Sequence, residues 1–231
     1  MATTKTKSSR PKKPSAATRV RVLLVDDHEL LRDGMRLLIG NEQGWDVCGE
    51  AEDEASALRK VRKSNPDIVV VDLTLSNGNG LELIKSIHKN HPHIKTIVST
   101  MHDEKVYGER ALRAGASGYV NKQDPARTIL KAIRRVLDGK LFFSETLSER
   151  LMLRAAGSPD THRSPIDTLS NRELEVFTLL GQGVATAQIA EKLQLSPRTV
   201  ETYRERLKTK LNLASAVELN RRAVEWALEN R

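Results

Sequence analysis

The 231-residue chain has one cysteine and few aromatics: three tyrosines, three phenylalanines and two tryptophans. A lone Cys48 excludes an internal disulfide and a cysteine-rich zinc site. Apolar runs are short, as in Val20 to Val25, which Arg21 interrupts. All fall well below the roughly 18 to 20 residues that cross a bilayer, so no membrane partner is expected. Met1 is followed by a basic, Ser- and Pro-rich stretch without an apolar centre, which argues against a secretory signal and for a cytoplasmic location. The 39% of hydrophobic residues suffices for a core, and the length suits two domains better than one.

The formal net charge is +8, which raises nucleic acid as a partner. Residues 1 to 19 supply +6 of it, from Lys5, Lys7, Arg10, Lys12, Lys13 and Arg19 with no acid. Residues 20 to 138 hold 18 basic and 18 acidic residues, and residues 167 to 231 hold 10 and 9. Most of the excess therefore sits in a tail whose composition cannot form a core. A solubilising tail explains it better than a sliding arm on DNA.

Beyond the tail, apolar runs alternate with helical patterns. Strands are predicted at Val20 to Val25, Trp45 to Ala51, Ile68 to Val71, Thr96 to Thr100 and Gly118 to Val120. Helices are predicted at Leu30 to Ile39, Glu54 to Lys63, Leu81 to Lys89, Asp103 to Ala114 and Pro125 to Leu137. Five βα units imply an α/β fold, a parallel doubly wound sheet covered by helices on both faces. Asp124-Pro125 reads as an N-cap with proline at the first helical position. Gly108 inside the fourth helix marks that helix as marginal, suited to a switching surface or simply tolerated. Residues 139 to 166 lose the rhythm and read as a linker. From Leu169 onward the pattern is all-α, with four segments at 171 to 181, 186 to 193, 197 to 211 and 215 to 229. Ser170-Asn171-Arg172-Glu173 is a capping box, and Ser196-Pro197 is an N-cap with an N1 proline.

Ligands in open α/β sheets bind beyond the carboxyl ends of the strands. Asp26 and Asp27, Asp72, Thr100 and Lys122 stand there. Three converging carboxylates need a cation, and Mg²⁺ suits oxygen ligands. A phosphoryl group so oriented would meet the Thr100 hydroxyl and the Lys122 ammonium, and a strand-end aspartate can itself become an aspartyl phosphate. Any one of these acids alone is better read as a turn or cap residue. Five complementary groups at one edge are harder to dismiss.

The chain resembles a two-component response regulator. The receiver likeness rests on Val-Asp-Asp-His at 25 to 28, Val-Val-Asp-Leu at 70 to 73 followed by Gly80, Ser-Thr-Met at 99 to 101, and Gly-Ala-Ser-Gly-Tyr-Val-Asn-Lys at 115 to 122. The resemblance implies a five-stranded, flavodoxin-like receiver at 20 to 138 with Asp72 as phosphoacceptor. It also implies Mg²⁺ held by Asp26, Asp27, Asp72 and the Thr74 carbonyl, phosphoryl contacts from Thr100 and Lys122, and Tyr119 as the aromatic that reorients with Thr100. A histidine kinase is the implied donor. Ser76 and Gln123 stand where the family usually has proline, which bears on the lifetime of the phosphoryl group.

On a helical wheel Val200, Leu207 and Leu211 face a core, while Arg198, Thr202, Glu205 and Thr209 point away. Arg198 to Lys210 holds five basic and two acidic residues, a local +3, and the short helix before it completes a helix-turn-helix pattern. The stretch resembles the output domain of NarL/FixJ (LuxR-type) regulators through Leu-Ser-Asn-Arg-Glu-Leu-Glu-Val at 169 to 176, Gly183, Ile189-Ala190, Leu193, Ser196, Thr199-Val200 and Lys210-Leu211. That likeness implies a DNA-binding domain at 167 to 231, with Glu201, Thr202 and Glu205 as base readers. Arg198, Thr199, Arg206 and Lys208 suit phosphates of double-stranded DNA. The two glutamates can equally pair with Arg198, Arg204 or Arg206, and Ala185-Thr186-Ala187 lacks the polar and basic residues common at the start of the scanning helix. Ala216, Leu219, Ala223, Trp226 and Ala227 form a last apolar stripe, part of which could pair two copies when the protein is phosphorylated.

The function so implied is a phosphorylation-switched transcriptional regulator, not a turnover enzyme. Two alternatives remain open: a helical domain that binds protein, and an aspartate-nucleophile phosphohydrolase. Thr74 stands where such hydrolases carry their general acid.

Overall fold

The computed structural model describes residues 19–156 and 165–229. The basic tail up to residue 18 and residues 157–164 of the expected linker lie outside the described residues. The first half alternates β1 (Val20–Val25), α1 (Glu29–Gly40), β2 (Trp45–Ala51), α2 (Glu54–Ser64), β3 (Ile68–Val71), α3 (Gly80–Asn90), β4 (Lys95–Thr100), α4 (Glu104–Ala114), β5 (Gly118–Asn121) and α5 (Thr128–Leu137). All pairings are parallel, in the order β2-β1-β3-β4-β5. The order reverses at β1, and the crevice beside it opens between the ends of β1 and β3.

Two-residue alternation along the strands builds two apolar layers. Val22, Leu24, Ile68, Val70 and Ile97 pack with Ile39, Ile129 and Ile133 on one face. Leu23, Val25, Val69, Val71 and Val98 pack with Val61, Leu83, Ile84 and Ala111 on the other. This second cluster continues without a break into the C-terminal half through Ile166, Leu174 and Phe177.

The fifth helix starts at Thr128, not at Pro125. Asp124 does not cap it: its carboxylate turns back to accept from the Asn121 amide at 3.2 Å, and its own amide bonds to the Asn121 carbonyl at 2.9 Å. Competition from this local turn delays the helix by three residues. The segment expected as a linker contains α6 (Glu145–Ala155), docked on α4. Phe142 also extends the sheet edge, bonding to Ser117 and Tyr119.

That docking explains Gly108. A Cβ there would lie 2.7 Å from Leu147 Cδ2 of α6 and 2.7 Å from Glu104 Cγ. The glycine leaves room for this contact, since an added methyl would force Leu147 or Glu104 to shift.

After a 3₁₀ turn at Pro165–Thr168, the C-terminal half folds as α7 (Asn171–Gly181), α8 (Thr186–Lys192), α9 (Pro197–Leu211) and α10 (Ala216–Glu229). The capping box forms as expected: the Ser170 amide donates to Glu173 Oε2 at 2.7 Å and the Glu173 amide donates to Ser170 Oγ at 3.3 Å. Ser196 caps α9 ahead of Pro197. The rings of Phe177 of α7 and Trp226 of α10 pack with centroids 5.5 Å apart, tilted by 55°. Leu219, Ala223 and Trp226 are buried as the stripe requires, whereas Ala216 is exposed.

In an open helix Gly108→Ala would gain about 0.5–1 kcal/mol from propensity. Here the clash with Leu147 reverses the sign, and thermal unfolding should show a loss of about 1–3 kcal/mol.

Candidate functional site

The sheet delivers its polar residues to one edge because each stands at, or just after, the carboxyl end of a strand. Asp26 follows Val25, Asp72 follows Val71, Thr100 ends β4, and Lys122 follows β5. Backbone bonds then fix their heights: the Asp72 amide donates to the Val25 carbonyl at 2.8 Å and the Lys122 amide to the Thr100 carbonyl at 2.8 Å.

Lys122 Nζ lies 2.7 Å from Asp26 Oδ2 and 2.5 Å from Asp72 Oδ2, with side-chain exposures of 7%, 1% and 5%. Burial alone would lower the pKa of the lysine. The Asp72 charge and the contacts with Asp26 and Asp72 outweigh it, and the ammonium titrates above its usual range. Asp72 Oδ1 accepts from the Thr74 amide at 3.2 Å, and Asp26 Oδ1 from the His28 amide at 3.0 Å. The Arg32 guanidinium, from α1, reaches the Asp26 carbonyl at 2.5 Å.

Two buried carboxylate oxygens remain without an aligned hydrogen bond, Asp26 Oδ2 and Asp27 Oδ1. The first has only the lysine ion pair, and the second only the His28 imidazole, 2.8 Å away. Asp26, Asp27, His28 and Asp72 each present one ligand atom within 4.8 Å of the others. A buried Asp27 oxygen without a hydrogen bond, inside such a cluster of acids, fits a divalent cation.

Gly80 is required here. A Cβ would fall 2.2 Å from the Asp72 carbonyl oxygen and 2.6 Å from Leu73 Cα, because the start of α3 packs on the loop leaving β3. That loop carries Thr74, whose hydroxyl lies 2.9 Å from His102 Nε2. Thr100 is buried at the same edge, at 1% exposure. Tyr119 is buried too, but its hydroxyl donates to the His102 carbonyl at 2.9 Å and not to the acid cluster.

His28 and His102 were not singled out by the sequence reading, although one follows the acid pair and the other stands two residues past Thr100. Burial holds the His102 imidazole below its ordinary range. Equally unread was a seam between the two halves. Tyr107 Oη lies 3.4 Å from Thr178 Oγ1, and Asn79 donates to Glu175. Arg110 donates to the Leu169 carbonyl at 2.7 Å and the Ile166 carbonyl at 3.1 Å. A cavity of about 430 Å³ runs along it, from Asp27, His28 and Thr74 to Arg172 and Lys192. No local pattern announces such a seam.

On α9, Arg198, Glu201, Thr202, Glu205 and Arg206 are exposed, Lys208 is half-buried, and Thr199 is half-buried in the Ser196 cap. Glu201 pairs with Arg204 at 3.4 Å and accepts from the Thr186 hydroxyl at 3.2 Å. Glu205 pairs with Lys208 at 2.9 Å, and the Arg206 guanidinium lies 5.8 Å from the Tyr203 ring centroid. Both glutamates thus have intrahelical partners.

Known proteins fit this arrangement. The family model described as a response regulator receiver domain matches residues 22–134. That of bacterial regulatory proteins of the luxR family matches residues 167–223. The response regulator GacA of Pseudomonas viridiflava is 36% identical over 209 residues, covering 90% of this chain and 97% of GacA. The response regulator UvrY of Escherichia coli K12 is 34% identical over 211 residues, covering 91% and 96%. Among solved structures, RcsB from Salmonella enterica serovar Typhimurium, bound to promoter P1flhDC in the presence of the phosphomimetic BeF3−, superposes with a TM-score of 0.64 at 25% identity, covering 89% of this chain and 98% of that one.

Removing the lysine leaves two buried carboxylates facing each other. Lys122→Met should lose about 3–5 kcal/mol in denaturant unfolding without divalent cations. Because the folded lysine titrates higher than the unfolded one, its contribution is intact below the ordinary lysine range and fades as pH rises through the raised value.

Proposed function

The chain belongs to the response regulators that join a receiver domain to a LuxR-type helix-turn-helix domain, and on that premise we propose that it is a DNA-binding transcriptional regulator switched by phosphorylation of Asp72. The observation that carries this reading is the buried Asp26–Lys122–Asp72 bridge, with a buried Asp27 oxygen beside it that makes no hydrogen bond. In this reading the receiver spans 20–138, a linker 139–166 and the DNA-binding domain 167–231, with the basic tail at 1–19 and the whole protein in the cytoplasm.

Asp26, Asp27, Asp72 and the Thr74 carbonyl would hold Mg²⁺, which when bound would supply charge neutralisation for an incoming phosphoryl group. The donor is the phosphohistidine of a histidine kinase. A carboxylate oxygen of Asp72 attacks phosphorus, the P–N bond breaks, and the imidazole leaves to take up a proton. Lys122 then moves from a carboxylate clamp to a phosphoryl contact, and the Thr100 hydroxyl meets a second phosphoryl oxygen. Tyr119 follows Thr100, and the seam carried by α4 responds. The chain accepts and loses the group on itself and turns over no separate substrate.

RcsB bound to promoter DNA supports DNA as the partner. Arg198, Thr199, Arg206 and Lys208 serve phosphates, while Thr202 with Glu201 and Glu205 lies toward the bases. A carboxylate accepts from donors such as cytosine N4, and each glutamate must leave its intrahelical partner to do so. Two RcsB dimers have been seen on two parallel DNAs. Here the exposed Val217, Val224 and Leu228 on α10 offer an apolar strip for pairing two copies on adjacent half-sites when the protein is phosphorylated.

Asp72→Asn should abolish covalent labelling by phosphoramidate in Mg²⁺, read by intact-protein mass; undiminished labelling would refute the assignment. Arg206→Ala should weaken binding to duplex DNA of any sequence and lower the slope of log affinity against log salt by about 0.9. An unchanged slope removes Arg206 from the phosphate contacts.

A further inference from the structure

We infer that His102 positions Tyr107 and, through it, couples the phosphoacceptor pocket to the helix-turn-helix domain. The inference rests on the phosphorylation switch proposed above and adds the residues that transmit it.

His102 sits in the connection between β4 and α4, two residues after Thr100. Three elements around the pocket meet at it. Its Nε2 lies 2.9 Å from the Thr74 hydroxyl, on the loop leaving the phosphoacceptor strand. Its carbonyl accepts from Tyr119 Oη at 2.9 Å and from Asn121 Nδ2 at 3.3 Å, both on β5. Its ring lies 4.5 Å from that of Tyr107 on α4, tilted by 33°.

Tyr107 carries the contact across the seam. It is only 4% exposed, and its hydroxyl meets Thr178 of α7 at 3.4 Å. Burial raises its pKa to about 12, so the hydroxyl keeps its proton under physiological conditions. One turn further along α4, Arg110 clamps the Ile166 and Leu169 carbonyls. A displacement of Thr74 or Tyr119 therefore acts directly on the His102 ring or backbone, and one of Thr100 acts through the two-residue connection between them. The packed Tyr107 ring in turn cannot shift without straining its contact with α7.

Contiguity alone transmits nothing; both sites must bias the same element. The β4–α4 connection meets that condition, since the His102 carbonyl is tied to β5 while its ring meets both Thr74, on the loop after Asp72, and Tyr107, on the helix that grips the other domain. His102 is a positioning residue here and forms no bond to the phosphoryl group.

The test uses the full chain with beryllofluoride and Mg²⁺ as the phosphoryl mimic, and hydrogen exchange of the amides from Leu169 to Thr178 as the readout. In the wild type the mimic should accelerate exchange there by about tenfold, within the range of ordinary allosteric coupling. His102→Ala should bring that ratio below about twofold while Asp72 is still labelled by phosphoramidate. His102→Phe, which keeps a ring against Tyr107, should recover part of the response. Tyr107→Phe should speed exchange before the mimic is added and reduce the further gain. A wild-type response retained in both His102→Ala and Tyr107→Phe would overturn the inference and leave the switch intact. So would a wild-type chain that is labelled at Asp72 yet shows no change in α7. Loss of labelling in the wild type would instead remove the switch, and the inference with it.

Discussion

The ammonium of Lys122, held between the carboxylates of Asp26 and Asp72, is the interaction on which the site depends. Two buried like charges repel strongly at low dielectric, and neither tolerates burial alone. The lysine solves both problems. It pairs with Asp26 Oδ2 but not with the buried Oδ1 of Asp27, which makes no hydrogen bond. The pocket is thus neutral enough to fold and acidic enough to take a divalent cation. A phosphoryl group on Asp72 would take the lysine for itself and upset this balance. A small covalent change can then be felt beyond the pocket.

How far it is felt depends on what touches the pocket rim. His102 is tied to Thr74, Tyr119 and Tyr107 together, and Tyr107 leans on the second domain. One apolar cluster continues from the sheet through Tyr107 and Ile166 to Phe177 and Trp226. The two halves are joined by core as well as by polar contacts, so an electrostatic event at the sheet edge is set against packing at the seam.

The sheet and its acidic edge were legible because both follow local rules. Alternating apolar residues fix the strands, and the first polar residue after each strand must lie at the carboxyl edge. Ser170 and Glu173 announced their capping box in the same way. Asp124-Pro125 misled because Asp124 had a nearer partner in Asn121 than the helix it seemed to cap. Gly108 misled because its reason is Leu147, 39 positions away in a segment without a visible rhythm. The seam was invisible for the same cause: Tyr107, Arg110, Glu175 and Thr178 are unremarkable in sequence and meet only after both domains have folded. Total charge was a poor guide to DNA, since most of the excess lies in residues 1 to 19. On α9 the relevant fact is that Glu201 and Glu205 are already paired.

The central claim is that Lys122 and a divalent cation compete for one set of carboxylates. Calorimetric titration of Mg²⁺ into the wild type and into Lys122→Met tests it most directly. Removing the buried positive charge should tighten Mg²⁺ binding by about tenfold or more, roughly the 1.4 kcal/mol per decade of a single lost repulsion. Equal or weaker binding in the variant would mean that the lysine shapes the site without opposing the cation, and the account of the pocket as a charge balance would fail.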